Sequence, residues 1–506
     1  MNGRGGREGE ETYMKVSIDK SSKVPVYLQI ADQIKAQIIS GALPRSSALP
    51  SERALAQILD VHRNTVVKAY GELKSDAWIE SRQGVGYLVA SASTEKEPVG
   101  ESGEGVQMGR VNWVNEVADK YLDMEKTFDD LFQRFTDESH FSLGSGIASR
   151  EVYSSERVAH DIAGLLTGSG PSQYFFSPYK GDRFLRQKLA SFLGTKGVKA
   201  SSGEIQILSE TNQALDFIVT LLVKPGDSVV MEEPVHPDMY RVMELAGARI
   251  LTVPVDEDGM NCDVLESLLT QTRPRLIFVN SSFHDPTGCI LSLERRKKLV
   301  ELSSRYRIPI VEEDAASELV YDGDKLPPIK AFDTTGNVIY IYSFSLTFIP
   351  GLSLAFVTGN RDFVRALSYL VSVRLMASDW MTQKLLGMYL DDGSYYSSLA
   401  TFREIYSGNR DLVCQKLDAL AHLGVRYERP RGGVYVWCRL PDGVDSKHFI
   451  NRAYNMGVTL IPGHVFYPYK NGGRDYIRIN YSYESRERLA CGMDVLHKAL
   501  EEELEE

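Results

Sequence analysis

Six short β-rich runs recur beyond residue 140, separated by helix-length segments: GEIQIL (203–208), SVVMEE (228–233), ARILTVPV (248–255), PRLIFVN (274–280), IPIVEED (308–314) and NVIYIYSF (337–344). Strands spaced that far apart cannot close as tight hairpins. Each needs a crossover, and a helix is the usual one. The alternation therefore predicts an α/β layer sandwich around a largely parallel sheet. Past about residue 390 the pattern changes. ATFREIYSGNRDLVCQKLDALAHL (400–423) reads as a long amphipathic helix, and GGVYVWCRL (432–440) and YIRINYS (476–482) read as strands of a smaller α+β unit.

The first 90 residues follow another rhythm. Apolar Tyr27, Ile30, Ile34 and Ile38 recur at helical spacing between Val26 and Ile39, and Gly41 stands where a helix would end. LPSERALAQIL offers Ser51 as N-cap, with Ala54, Leu55, Ile58 and Leu59 as the buried stripe. After a short turn, NTVVKAYGEL predicts a second helix with Val66, Val67, Tyr70 and Leu73 inward. Two short helices joined this way read as helix-turn-helix. WIESRQGVGYLVA then reads as a two-strand hairpin around a Gly-Val-Gly tip. Residues 91–112 are Gly, Ser, Glu and Pro with almost nothing to bury, the composition of a linker, and a helix is predicted from Trp113 to about Phe135.

At 506 residues the chain is long enough for about three domains. No run approaches the roughly 20 apolar residues of a membrane helix, and the polar start has no signal-like apolar region. Five well-separated cysteines without a CxxC pair argue against a disulfide framework or a metal site, and predict a cytoplasmic protein. The net charge of -11 is hostile to nucleic acid only as an average. Residues 1–90 hold 12 Lys+Arg against 10 Asp+Glu, a net +2, so the acidity lies elsewhere.

VPVYLQIADQIKAQIISG, LPSERALAQ, HRNTVVKAYGEL and QGVGYLV, in that order, resemble the winged-helix DNA-binding domain of the GntR regulators. GDRFLRQKLASFL, ILSETNQAL, KPGDSVVMEEP, DPTG, VEEDAASE, SFSLTFIPGLSLAF and YIRIN resemble fold-type-I aminotransferases, which use pyridoxal phosphate. Together they resemble the MocR subfamily. The resemblance implies a disordered N-terminus (1–20), a winged helix (21–90), a flexible linker (91–112), a large α/β/α domain with its leading helix (113–390) and a small α+β domain (391–506).

In a recognition helix the N-terminal side chains reach base edges. His62, Arg63, Asn64 and Thr65 hold those places. Arg can pair guanine, Asn adenine, and Thr a thymine methyl or a phosphate. Ser51, Arg53 and the wing residue Gly84 complete the set that the resemblance implies for contact with double-stranded operator DNA.

The cofactor motifs carry over unevenly. Leu346 stands where the family has its Schiff-base lysine, and no lysine occurs between Lys330 and Lys384. Leu cannot form an imine, so no covalently held cofactor and no transamination are predicted. Ser353 replaces the phosphate-binding Arg, Glu210 the Gly of the phosphate turn, Ala315 a Tyr, His236 the ring-stacking aromatic and Asp285 the residue before Pro-Thr-Gly. The carboxylate for the pyridine nitrogen falls at Glu313. Thr211, Asn212, Ser343, Ser345 and Arg478 complete the ligand or vestigial cofactor site, with Arg478 expected to clamp a carboxylate.

The predicted protein is a homodimeric DNA-binding transcription regulator whose aminotransferase-like domain dimerises and senses a small carboxylate or amine effector. The competing readings are an active pyridoxal phosphate aminotransferase fused to a DNA-binding domain, and a ligand-independent DNA-binding dimer.

Overall fold

The helical spacing near the N-terminus yields α1 (Val26–Ile39), followed by α2 (Glu52–Ile58), α3 (Arg63–Ser75) and an antiparallel hairpin of β1 (Ile79–Arg82) and β2 (Gly86–Val89). This computed structural model describes residues 16–18, 25–39, 42–44, 47–75, 78–82, 86–90, 139–149, 151–168, 178–375 and 379–505. The chain divides into two compact units, 1–110 and 111–506. Gly41, the Gly84 wing tip, the 91–112 segment and the helix predicted over 113–135 lie outside the described residues.

Ser51 caps α2 by accepting a hydrogen bond from the Ala54 amide at 3.2 Å. The core of this unit gathers Ile30, Ile34, Leu55, Ala56, Val66, Ala69, Tyr70, Leu73, Ile79 and Val89. Two predicted stripes need correction. Ala54 and Ile58 face solvent, and Leu55 and Ala56 do the packing, because a two-turn helix lays only a narrow line on its neighbour. In α3 the buried position is Ala69, while Val67 is exposed.

The second unit begins with β3 (Phe141–Ser142), α4 (Ser155–Gly168) and α5 (Arg183–Thr195). Its main sheet uses β4 (Ile205–Leu208), β5 (Ser228–Glu233), β6 (Arg249–Asp256), β7 (Gly259–Met260), β8 (Ile277–Asn280), β9 (Ile310–Asp314), β10 (Val338–Ser343) and β11 (Ala355–Thr358). Their order is β4-β11-β10-β9-β8-β5-β6-β7. The β10, β9, β8, β5 and β6 neighbours pair in parallel, while β11 runs antiparallel between β4 and β10. All six β-rich runs are strands here. The crossovers are α6 (Thr211–Leu222), α7 (Pro237–Leu245), α8 (Cys262–Gln271) and α9 (Leu293–Tyr306), with α10 (Arg361–Arg374) and α11 (Trp380–Asp392) following the sheet.

Long helix α12 (Ser394–Ala419) leads into a smaller sheet ordered β12-β13-β16-β15, built from β12 (Arg426–Tyr427), β13 (Tyr435–Arg439), β15 (Ile461–Pro462) and β16 (Tyr476–Asn480). Helices α13 (Ser446–Asn455) and α14 (Arg486–Leu504) accompany it, and β14 (Val458–Thr459) pairs in parallel with β3. Residues 141–142 are thus tied to the C-terminal portion, and the Asn480 amide donates to the Leu143 carbonyl at 2.7 Å. That closure brings the 143–147 strand exit over the ends of the main sheet.

Candidate functional site

In the first unit, the α2–α3 turn places Arg53, His62, Arg63 and Asn64 in solvent, with Thr65 half-buried. His62 Nδ1 accepts from the Asn64 amide at 3.2 Å and fixes the start of α3. Arg63 is not loose. Its Nη2 reaches Glu52 Oε2 at 2.7 Å and its Nε the same oxygen at 3.2 Å, while the Tyr87 hydroxyl donates to Oε1 at 3.1 Å. The Arg63 hydrogen bond holds Glu52 below the usual carboxylate range. Glu52 and Tyr87 thereby join the recognition helix to the hairpin. Sequence reading missed both, although the position of Glu52 in the first turn of α2 was visible. Ser51 uses its hydroxyl as a helix cap, and Gly84 lies outside the described residues.

In the second unit, parallel strands end in loops and helix N-termini on one edge, where α/β sheets place ligand sites. The α6 start, the α7 start and the turn after β10 surround a cavity of about 470 Å³. It collects Thr211, Asn212, His236, Ser343, Ser345 and Arg478 from the predicted set, together with Glu210 and Ser353. It also holds Asp238, Arg241 and Tyr435, which sequence reading missed. The signal for Asp238 and Arg241 was their place in the first turns of the helix that begins at Pro237.

Arg478 does not wait for a ligand. Its Nη1 lies 2.8 and 2.7 Å from the two oxygens of Asp285, and its Nη2 donates to the Gly144 carbonyl at 2.9 Å. The guanidinium also stacks 4.3 Å from the Tyr435 ring centre. Burial opposes its charge, yet the Asp285 carboxylate holds its pKa above the ordinary value. Only Nε is a buried donor without a partner. The partner, Asp285, lies 193 residues away along the chain.

Glu313 is buried and does not line the cavity; it accepts a hydrogen bond from Nδ2 of Asn280. Burial, then the negative charges of Asp314 and Asp285, push its carboxyl up to about 8. Beside it, burial pushes Glu232 up to about 8 and His284 down to about 4. Asp314 faces elsewhere. It meets Tyr340 at 2.5 Å, Ser317 at 2.6 Å and the buried Lys196 at 3.6 Å.

These residues do not fit pyridoxal phosphate. Leu346 is packed in the apolar core, outside the cavity lining, so no amine is presented at that position. Glu210 is the N-cap residue of α6, so the position next to the first-turn amides, where a phosphate would sit, carries an acid. Ser353 offers a hydroxyl in place of a cation. Glu313, neutral below about 8, supplies no anion to a ring nitrogen in the neutral range.

A winged helix and a fold-type-I aminotransferase fold in one chain define a regulator-type architecture. The comparisons agree. The chain belongs to the aminotransferase class I and II family, whose model matches residues 139–494. It also carries a domain of the bacterial regulatory proteins of the gntR family at residues 26–89. It is 27% identical to the uncharacterized HTH-type transcriptional regulator YisV of Bacillus subtilis, over 94% of this chain and 96% of that one. It is 28% identical to the probable rhizopine catabolism regulatory protein MocR of Rhizobium meliloti, over 88% of each. Among solved structures it is similar to LysN, the α-aminoadipate aminotransferase of Thermus thermophilus. That match has a TM-score of 0.71 and 28% identity, and covers 78% of this chain and all of that one. Among the described residues no helix is long and apolar enough to cross a membrane.

Proposed function

We propose that the protein is a cytoplasmic, homodimeric transcription regulator. Its winged helix binds an operator, and its aminotransferase-like domain dimerises and senses a small effector without transamination and without a bound pyridoxal phosphate. The division is a winged helix over 21–90, a connecting segment over 91–112, and large and small domains meeting near residue 390. The observation that carries the reading is the exposed cluster of Arg53, His62, Arg63 and Asn64 at the N-terminal end of α3, inside the gntR-family match. A two-fold dimer would present two such helices to the half-sites of a palindrome. Ligand binding in the cavity acts by favouring one arrangement of the pair over another.

The test is selection of a random-sequence duplex pool on the full chain. Enrichment of one inverted-repeat sequence is expected, along with its loss in an Arg53→Ala, Asn64→Ala double variant. A module at only +2 binds non-specific DNA weakly, so the enrichment should stand out at moderate salt. Failure to enrich any sequence contradicts the reading.

A further inference from the structure

The charges around the cavity point away from the anions that this fold usually holds. Glu210 and Asp238 line it with Arg241 and Arg478, and Asp285, outside the lining, already occupies Arg478. Arg478 and Asp285 cancel in a buried pair, with side chains 3% and 15% exposed. An incoming carboxylate would have to displace Asp285 and leave that charge stranded beside it. Asp238 is partly committed already: Asn212 Nδ2 donates to it at 3.2 Å, and Arg241 lies 4.0 Å away. Glu210 is exposed at the mouth and makes no capping bond to its own helix. His236 stands between Asp238 and Asp285, 3.9 Å from each. Its Nδ1 is already engaged, accepting from the Asp238 amide at 3.3 Å as the N-cap of α7. The remaining polar lining is hydroxyl: Thr211, Ser343, Ser345 and Ser353.

We propose that this cavity takes a small hydroxylated organic cation, an amine carrying alcohol groups, and rejects carboxylates and phosphate esters. The proposal rests on the effector-sensing reading and names the ligand class. The ammonium is held by Glu210 with help from Asp238. The ligand hydroxyls meet the Ser and Thr side chains. A volume of about 470 Å³ is within the range of small-ligand sites.

The experiment uses the full chain, free of DNA, and three probes on one ring: trans-4-aminocyclohexanol, cyclohexane-1,4-diol and trans-4-hydroxycyclohexanecarboxylate. Thermal shift and calorimetric titration read binding. The amine is expected to bind best, the diol more weakly, and the carboxylate not at all. Glu210→Gln should weaken the amine about tenfold, the loss of one charge-assisted contact, while the ligand-free melting temperature stays put because Glu210 is exposed. Asp285→Asn, which releases Arg478, should bring carboxylate binding up. A wild-type preference for the carboxylate, equal binding of all three, or binding of none overturns the proposal. Because no DNA is present, any of these results leaves the duplex-selection outcome standing, and failure of that selection leaves this one readable.

Discussion

The N-terminal end of α3 and the cavity of the second unit both concentrate polar side chains, but they spend them differently. Around α3, Arg53, His62, Arg63 and Asn64 remain in solvent, and the one firm pairing, Arg63 with Glu52, is half-exposed at the arginine. At the cavity Arg478 is already neutralised in a buried pair, while outside its lining Glu313 is turned to Asn280 and core leucine fills the position of the family's reactive amine. The first surface is poised for an outside partner. The second keeps the aminotransferase scaffold but has closed most of its charge upon itself. A fold persists through its many apolar contacts, whereas a chemistry resides in a few side chains and can be lost with them.

The contrast can be broken most forcefully at the buried pair. Asp285→Ala leaves the Arg478 charge without its partner in the interior, and a loss of about 3–5 kcal/mol is expected in denaturant unfolding of the full chain. An unchanged midpoint would mean that Arg478 finds another carboxylate or solvent.

A second effect depends on pH. Glu313 has a folded-state value of about 8 against an ordinary 4.5, so the native protein holds this proton more tightly than the unfolded chain. Its carboxyl therefore costs nothing below about 4.5, costs progressively more as pH rises to about 8, and costs a constant amount above. Glu313→Gln should raise the melting temperature much more at pH 9 than at pH 5. Each unit of difference is worth about 1.4 kcal/mol, so a gap of a few kcal/mol is expected. An equal effect at both pH values would place the group in water.

In the first unit the effects on stability are smaller. Ser51→Ala removes the α2 cap and should cost about 1 kcal/mol in thermal unfolding. Glu52→Gln weakens a partly exposed pair, so unfolding should change by about 1 kcal/mol or less. The same change frees Arg63 and removes an anion near the phosphates, so duplex affinity should rise. A fall in affinity would show instead that Glu52 is needed to aim Arg63.

The layered fold was legible because strand and helix periods are local. The six β-rich runs all became strands, and the α1 boundaries fell where the apolar spacing placed them. Strand β11 was not read as a separate element, since its four residues sit inside a motif with no flanking alternation. Leu346, Glu210 and Ser353 were visible as single-letter departures from a known pattern. The pairings were not. Asp285 meets Arg478 and Tyr87 meets Glu52 only through tertiary closure, and no local rule encodes those distances. Hence the expectation of Arg478 as an open carboxylate clamp gave way to a residue already occupied.

The most direct test of the account is borohydride reduction of the full chain with added pyridoxal phosphate, followed by peptide mass mapping. The account predicts no stoichiometric pyridoxyl adduct on any lysine and no visible absorbance that survives removal of free cofactor. A stoichiometric adduct on one lysine that abolishes amine binding in the cavity would contradict it.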